Sequence, residues 1–374
     1  MHVIDSLHGG GAEISLLEVI PGLANRGVKT SIVTLLSDDG VLEGRVDALG
    51  VRRIRMRRRG PLGRTLELRR IIQAEQPDIL HTTLLFSNLA GRIAARTVHM
   101  PVVTTLANQD YGPEHRANSR YGACGVYAVQ AADLLTAPLT TRFHAVSTDV
   151  ARVMSRRLKI PMDRIEVVYR GRDPARLGQP SVERRFRTRA ALSIEARAPV
   201  VLSVGRLDRQ KGVETTIEAF RGLVARIPEA VLLVVGRPGN ASAVVQARAQ
   251  GVSAIRFLGH RSDVPDLMCA ADVLSFPSRW EGLGGTLVEA MAMRLAIVAS
   301  NIPPLSEAIG DVGWPLVMPD DAPALEEALM ATVLERGGRN EARKDAAAKR
   351  FRELFSAEAA SDGMAGLYRD ILRS

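Results

Sequence analysis

Only two cysteines, Cys124 and Cys269, occur in 374 residues, too few for a disulfide scaffold or a thiolate metal site. The seven histidines include no helical pair flanking a carboxylate, so no metal-binding site is expected. Aromatic residues are 4% of the chain, which leaves few platforms on which single-stranded nucleic acid could stack, and no nucleic-acid partner is expected. No apolar run reaches the roughly 18 to 20 residues of a membrane-spanning helix, the longest strand-like stretch being Ala230-Val-Leu-Leu-Val-Val235. The chain enters a strand pattern at Met1-His-Val-Ile without the basic and apolar segments of a signal peptide, so a cytoplasmic location is expected. It also lacks the Gly-x-Gly-x-x-Gly dinucleotide spacing and the Gly-Lys-Ser/Thr of an NTPase phosphate loop, which removes support for hydride transfer and NTP hydrolysis.

Lysine is scarce too, supplying five of the 50 basic residues, yet the formal net charge is +9. Nine arginines lie between Arg52 and Arg70 against the single acid Glu67. Such a local positive field attracts anions, whether an anionic membrane surface at the inner face of a membrane, a lipid-linked phosphate or, against the scarcity of aromatics, nucleic acid, unless it is an ordinary solvated face.

Short apolar runs alternate with amphipathic stretches, the pattern of parallel sheets covered by helices. Met1–Leu7, Thr30–Leu36, Val51–Met56, Ile79–Thr82, Val102–Leu106, Leu134–Ala137, His144–Val146 and Ile165–Val168 read as strands of a first unit, with a helix over Ala12–Asn25. A polar passage, Gly171–Pro199, places a hinge at its start. The alternation then resumes with Pro199–Val204, Val231–Val235, Ile255–Leu258, Val273–Phe276, Ala296–Ala299 and Gly313–Val317, and with a helix over Val213–Arg226. The tail Ala322–Ser374 reads as helical and ends in an amphipathic helix from about Glu358 to Leu372. The expected domains are 1–172, 173–355, and a closing segment 356–374 that packs back on the first.

The chemistry concentrates in the second unit. Glu281 and Glu289 stand eight positions apart in Trp280-Glu281-Gly-Leu-Gly-Gly-Thr-Leu-Val-Glu289, just after an apolar strand. Two carboxylates at a strand's carboxyl end suit a polyhydroxylated ligand, and the intervening glycines let backbone amides at a helix start approach an anion. Thr286-Leu-Val-Glu289 also fits a capping box, which would spend Glu289 on its own helix. Val204-Gly-Arg206-Leu-Asp-Arg-Gln-Lys211-Gly212 follows another buried-type strand, and its two cations suit a diphosphate, Arg206 as a planar fork and Lys211 as a mobile point charge. In the first unit His8-Gly9-Gly10-Gly11 opens directly into a helix, leaving room for a phosphate or sugar.

Together Phe257-Leu-Gly-His-Arg-Ser-Asp-Val-Pro, Ala271-Asp272, Pro277-Ser278, Glu281-Gly-Leu-Gly, Glu289-Ala-Met-Ala and Ser306-Glu307-Ala resemble the carboxyl-terminal half of family 4 glycosyltransferases. Gly205-Arg206-Leu to Lys211-Gly212 is similar to that family's phosphate loop, and Gly10-Gly11-Ala-Glu and Pro77-Asp-Ile-Leu-His81-Thr to its first domain. The resemblance implies an α/β GT-B fold, two Rossmann-like doubly wound parallel-sheet domains with an interdomain cleft. It further implies a retaining, metal-independent transferase that uses no cofactor beyond its nucleotide-diphosphate sugar donor and acts on a lipid-linked or glycan acceptor. By position, Arg206 and Lys211 would hold the diphosphate, Glu281 the sugar hydroxyls and Glu289 the ribose. Amides of Leu283, Gly284 and Gly285 would line the sugar and phosphate, the loop carrying His260 and Arg261 would lie near the base, and Gly11 would approach the reacting centre. One position departs from the family pattern: Ala107 stands where members often carry histidine. Asn108 or Asp110 could supply the missing contact. His144 is either a cleft residue or a satisfied histidine at a strand edge. The alternatives are a catalytically inactive nucleotide-sugar-binding protein, an epimerase on the same architecture and, less favoured, a basic nucleic-acid-binding protein.

Overall fold

The computed structural model describes residues 1–36, 40–118, 122–335 and 338–373, so residues 336–337 and 374 of the expected helical tail lie outside the described ones. The chain forms two compact units, 1–172 with 356–374, and 173–355.

The first unit contains a seven-stranded parallel sheet: β1 (His2–Ile4), β2 (Ser31–Thr34), β3 (Arg52–Arg55), β4 (Leu80–Thr83), β5 (Val102–Leu106), β6 (Arg142–Ala145) and β7 (Ile165–Val167), in the order β3-β2-β1-β4-β5-β6-β7. Winding reverses between β1 and β4. Val3, Val33, Leu80 and Val102 pack on one side with Leu68, Ile72, Ala90 and Ala94. The helix Ala357–Arg373 returns to this unit and buries Met364, Leu367, Tyr368 and Ile371 with Val19, Leu23, Ile79 and Val103. Its Ser361 hydroxyl donates to the Val19 carbonyl of the helix Gly11–Ala24 (3.1 Å), fixing the register of the two helices.

The second unit has six parallel strands: β8 (Val200–Val204), β9 (Val231–Val235), β10 (Ile255–Gly259), β11 (Val273–Phe276), β12 (Ala296–Ser300) and β13 (Leu316–Val317), in the order β10-β9-β8-β11-β12-β13. β9, β11 and β12 are buried at every residue, as expected for strands covered by helices on both faces. The helix Val213–Arg226 turns Val213, Ile217, Phe220 and Leu223 inward at helical spacing. Here the winding reverses between β8 and β11, so the loops after these two strands flank the crevice where open α/β sheets bind ligands.

Two strand expectations are corrected. Leu134–Ala137 is not a strand: the helix Gly122–Thr136 runs through it into the short turn Ala137–Leu139. Asp133, one residue earlier, is held inside by Arg92 and Tyr111, while Leu135 is 77% exposed, so this short apolar run follows a helical period. Of Gly313–Val317 only Leu316–Val317 pairs with β12, because Pro315 has no N–H to donate and offers only its carbonyl, to Ala299.

Candidate functional site

The loops after β8 and β11 meet backbone to backbone. Gly212 sits in the left-handed region (φ 60°), and a β-carbon there would lie 2.3 Å from the Pro277 carbonyl oxygen, so no other residue fits without separating the loops. This approach brings Lys211 to Glu281, with Nζ 2.5 Å from Oε1. The same oxygen accepts the Ser278 hydroxyl at 2.9 Å, and the ammonium also lies 5.3 Å from the centre of the Phe276 ring. Glu281 is 6% exposed, and these two donors compensate its removal from water.

Residues that the motif reading missed hold this junction. The Arg279 N–H donates to the Gln210 carbonyl (2.8 Å), and Gln210 Nε2 donates back to the Trp280 carbonyl (2.8 Å). The Arg279 guanidinium binds Glu214 (2.8 Å), Asp320 and the Arg209 carbonyl. One arginine thereby ties the β8 loop, the following helix and the β11 loop together. Its position beside Pro277-Ser278 was the only signal in the sequence.

The other expected residues lie around this pair with partners of their own. Arg206 is largely solvent-exposed and pairs with Asp208 at 3.1 Å, not with Glu281. Glu289 lies on the helix Gly285–Ala292, 4.0 Å from Arg176. That helix has Gly284 as its N-cap and no side-chain cap, so Thr286 is already inside the helix and the capping-box alternative for Glu289 falls away. Its first amides are therefore not spent on a capping side chain, a favourable arrangement for an anion. Gly284 has φ 89°, and a β-carbon there would press on Leu305 at 2.8 Å; Leu283 is fully buried. Arg261 forms a two-pronged pair with Asp263 (2.8 and 2.6 Å), a bond that raises the guanidinium pKa and lowers that of the carboxylate. His260 Nε2 is exposed, 3.5 Å from Arg237.

In the first unit the expected residues are engaged differently. Gly10 precedes the helix Gly11–Ala24 and crowds Glu13, which a β-carbon would approach to 2.5 Å; a β-carbon on Gly11 would stand 3.1 Å from the Arg170 guanidinium. Arg170 donates to the carbonyl of Ala107 (2.6 Å), and Asn108 turns its side-chain oxygen onto the Gln109 N–H. His144 is the satisfied histidine of the two alternatives. It is buried, with Nε2 2.8 Å from the Val168 carbonyl and Nδ1 3.2 Å from the Thr105 hydroxyl. Burial first of all lowers its pKa to about 4, with the nearby Arg170 charge acting the same way against the bond to Val168.

That histidine ends a polar row across β1, β4, β5 and β6. A carbonyl can only accept, so His144 carries its proton on Nε2 and takes the Thr105 hydroxyl proton at Nδ1. Thr105 must then accept from His81 Nε2 (2.7 Å), His81 Nδ1 must accept from the Tyr368 hydroxyl (2.6 Å), and Tyr368 accepts from His2 Nε2 (3.3 Å). One backbone carbonyl thus sets three tautomers. The row borders a small cavity of about 50 Å³ that Ala12, Ser15 and Arg170 also line. Among the described residues no cluster of three or more His, Cys, Asp or Glu is placed to hold a metal, and no helix is long and apolar enough to cross a membrane.

Two parallel, doubly wound units, the second with charged loops at its strand switch point, define a double Rossmann-like α/β architecture. Residues 9–176 match the family model described as Glycosyltransferase Family 4, and residues 198–334 match that of Glycosyl transferases group 1. The chain belongs to the family 4 glycosyltransferases and has the GT-B fold. It is 28% identical over 350 residues to the 2-deoxystreptamine N-acetyl-D-glucosaminyltransferase of Streptomyces fradiae, covering 85% of this chain and 81% of that one. It is 26% identical over 242 residues to the UDP-Gal:alpha-D-GlcNAc-diphosphoundecaprenol alpha-1,3-galactosyltransferase of Escherichia coli, over 63% of this chain but only 61% of that relative. The structure of the Anabaena protein Alr3699/HepE in complex with UDP-glucose superposes with a TM-score of 0.84 at 20% identity, over 99% and 100% of the two chains.

Proposed function

We propose that this protein is a retaining, metal-independent glycosyltransferase that moves a sugar from a nucleotide-diphosphate donor to a lipid-linked or glycan acceptor. The observation that carries the reading is the Lys211–Glu281 pair at the β8/β11 switch point, a mobile cation and a nearly buried carboxylate on adjoining loops. In the proposed donor complex the diphosphate takes up the Lys211 charge. Glu281, still held by Ser278, accepts hydrogen bonds from sugar hydroxyls. Negative charge growing on the departing diphosphate is then met by Lys211, by Arg206 reaching in from solvent, and by the amides of Gly284 and Gly285. With Glu281 occupied in binding the sugar, the reading assigns no enzymic nucleophile. The acceptor attacks from the face the diphosphate leaves, and a diphosphate oxygen takes its proton. UDP-sugars are the first donors to test, since the Anabaena neighbour was solved with UDP-glucose and the Escherichia coli relative is named for UDP-Gal. The latter's diphosphoundecaprenol acceptor makes polyprenyl-diphosphate glycans the first acceptors.

A panel of uridine, adenosine and guanosine diphosphates and their sugars, read by thermal melting, tests donor binding. At about a hundred times its Kd a ligand adds roughly 2.7 kcal/mol to the folded state, a shift of several degrees. Acceptor-dependent release of nucleoside diphosphate, with the product anomer assigned by NMR, tests transfer and retention. A panel without any melting shift, or release with inversion of the anomer, overturns the reading. Ala107, whose carbonyl takes Arg170 where family members often present a histidine, favours a second reading as a donor-binding protein without turnover. Stabilisation by a donor with no release under any acceptor would select it.

A further inference from the structure

The arginine run divides sharply in the structure. Arg52 pairs with Glu75 (2.6 Å), Arg53 and Arg55 with Glu43 (2.7 and 2.5 Å), and Arg64 lies over the Phe86 ring (5.3 Å). Arg57, Arg58, Arg59, Arg69 and Arg70 are exposed, and their side chains have no carboxylate partner among the described residues. The one acid of the run, Glu67, is spent on backbone: its two oxygens accept the N–H groups of Arg57 (3.0 Å) and Arg58 (2.7 Å). That bond pins the arginine loop after β3 against the helix Pro61–Glu75.

The helix adds an apolar component. Leu62 is 74% and Leu66 40% exposed, and with Arg69 and Arg70 they occupy positions i, i+4, i+7 and i+8, one face of the helix. Exposed leucines flanked by unpaired arginines form a surface that is at once apolar and strongly cationic. A nucleic acid would use the charge and leave the leucines unexplained, and the exposed aromatic beside the run, Phe86, already lies under the Arg64 guanidinium. A lipid surface uses both, headgroup phosphates for the guanidiniums and the acyl boundary for the leucines.

We propose that Arg57–Arg59 together with the Leu62, Leu66, Arg69 and Arg70 face of the helix is a docking surface for anionic lipid bilayers. This goes beyond the donor-site reading and is tested without any sugar transfer, so failure of either leaves the other standing. The full chain is sedimented with vesicles of phosphatidylcholine alone and with vesicles carrying about a third phosphatidylglycerol, where each arginine near the surface contributes about fivefold in affinity. Binding only to the anionic vesicles, released on raising salt from about 0.05 to about 0.5 M, is expected. The combined Arg58→Gln, Arg59→Gln, Arg69→Gln and Arg70→Gln variant should bind at least about a hundredfold more weakly. Leu62→Ser with Leu66→Ser should weaken binding about tenfold while keeping its salt dependence. Equal recovery with both vesicle types overturns the proposal, as does undiminished binding by the quadruple variant. Salt-sensitive binding to an RNA oligonucleotide, with both vesicle types left unbound, would assign the surface to nucleic acid and overturn it as well.

Discussion

The switch point of the second unit and the sheet of the first spend their ionisable groups in opposite ways. In 173–355 the charges at the β8/β11 switch point pair with one another but remain within reach of solvent: the Lys211 side chain is 21% exposed and that of Arg206 66%. In 1–172 with 356–374 the histidines on the sheet are sealed in, uncharged, and bonded only to neighbours in their own unit. An ion pair between two loops can be exchanged for a ligand; a bonded row inside a core cannot be exchanged without unfolding around it. The exchangeable pair at the switch point suits the donor chemistry proposed above, and the buried histidine row of the first unit holds a scaffold.

Deleting a charge in the core of the first unit should accordingly cost stability, and deleting one at the switch point turnover. The largest effect is expected from Arg92→Ala. Arg92 is fully buried, pairs with Asp133, donates to Thr104 (3.2 Å) and lies 5.7 Å from the Phe143 ring centre, while Tyr111 holds the other Asp133 oxygen (2.7 Å). Leaving that carboxylate buried without its cation should destabilise the unit by about 3–5 kcal/mol, read as a fall in the urea midpoint. An unchanged midpoint would mean that the interior of this unit tolerates lone charge and the contrast is false.

Lys211→Ala should do the reverse. On the proposed donor reading, turnover should fall by about 10²–10³, or roughly 2.7–4 kcal/mol of barrier, through loss of one cation that meets the departing diphosphate. Its melting temperature should fall by only a few degrees: the Lys211 side chain is 21% exposed where that of Arg92 is fully buried, so its removal admits water to Glu281, which also keeps the Ser278 hydroxyl. A fully active variant would remove Lys211 from the chemistry. A variant that melts far below wild type would make the pair structural, like those of the first unit.

Acid separates the units next. Burial is the main cause holding the folded-state pKa of His144 to about 4 and that of His2 to about 3, below the usual 6.5. Between those values and 6.5 the unfolded chain binds more protons than the folded one, so stability is full above about pH 6.5 and is lost as pH falls through the window. For His144 alone the loss is about 3 kcal/mol by pH 4. Urea midpoints measured from pH 7.5 downward should show it, and His144→Asn should flatten the slope; a midpoint flat to pH 4.5 would contradict the neutral row.

What could be read from sequence follows the same division. That Lys211 and Glu281 come together was legible because each lies in a Gly-containing loop just after a buried-type strand, and glycines such as Gly212 mark where two backbones touch. Both sheets were legible as short apolar runs alternating with amphipathic stretches, and the Val213–Arg226 and closing helices from their apolar period. Arg279 was not, because its role is set by Glu214 and Asp320, distant in sequence and brought near only by folding. The ion-pair pattern within the Arg52–Arg70 run was hidden for the same reason: which arginines are neutralised depends on Glu43 and Glu75 in neighbouring elements. Leu134–Ala137 misled because a short apolar run has no period of its own.

The smallest effect expected here is also the most discriminating test of the histidine row. Tyr368→Phe removes a single oxygen, the donor to His81 Nδ1 and the acceptor from His2 Nε2. If the Val168 carbonyl fixes the tautomers as argued, His81 Nδ1 is left as a buried acceptor without a proton, and the unit should lose about 1–3 kcal/mol. Because His81 Nε2 still donates to Thr105, the proton does not simply move to the other nitrogen without breaking that bond. In nitrogen-15 spectra of the histidine rings His81 should therefore keep its proton on Nε2 in the variant. A switch to Nδ1 protonation would show that the order of donors is set locally by each ring, not relayed from Val168 across four strands.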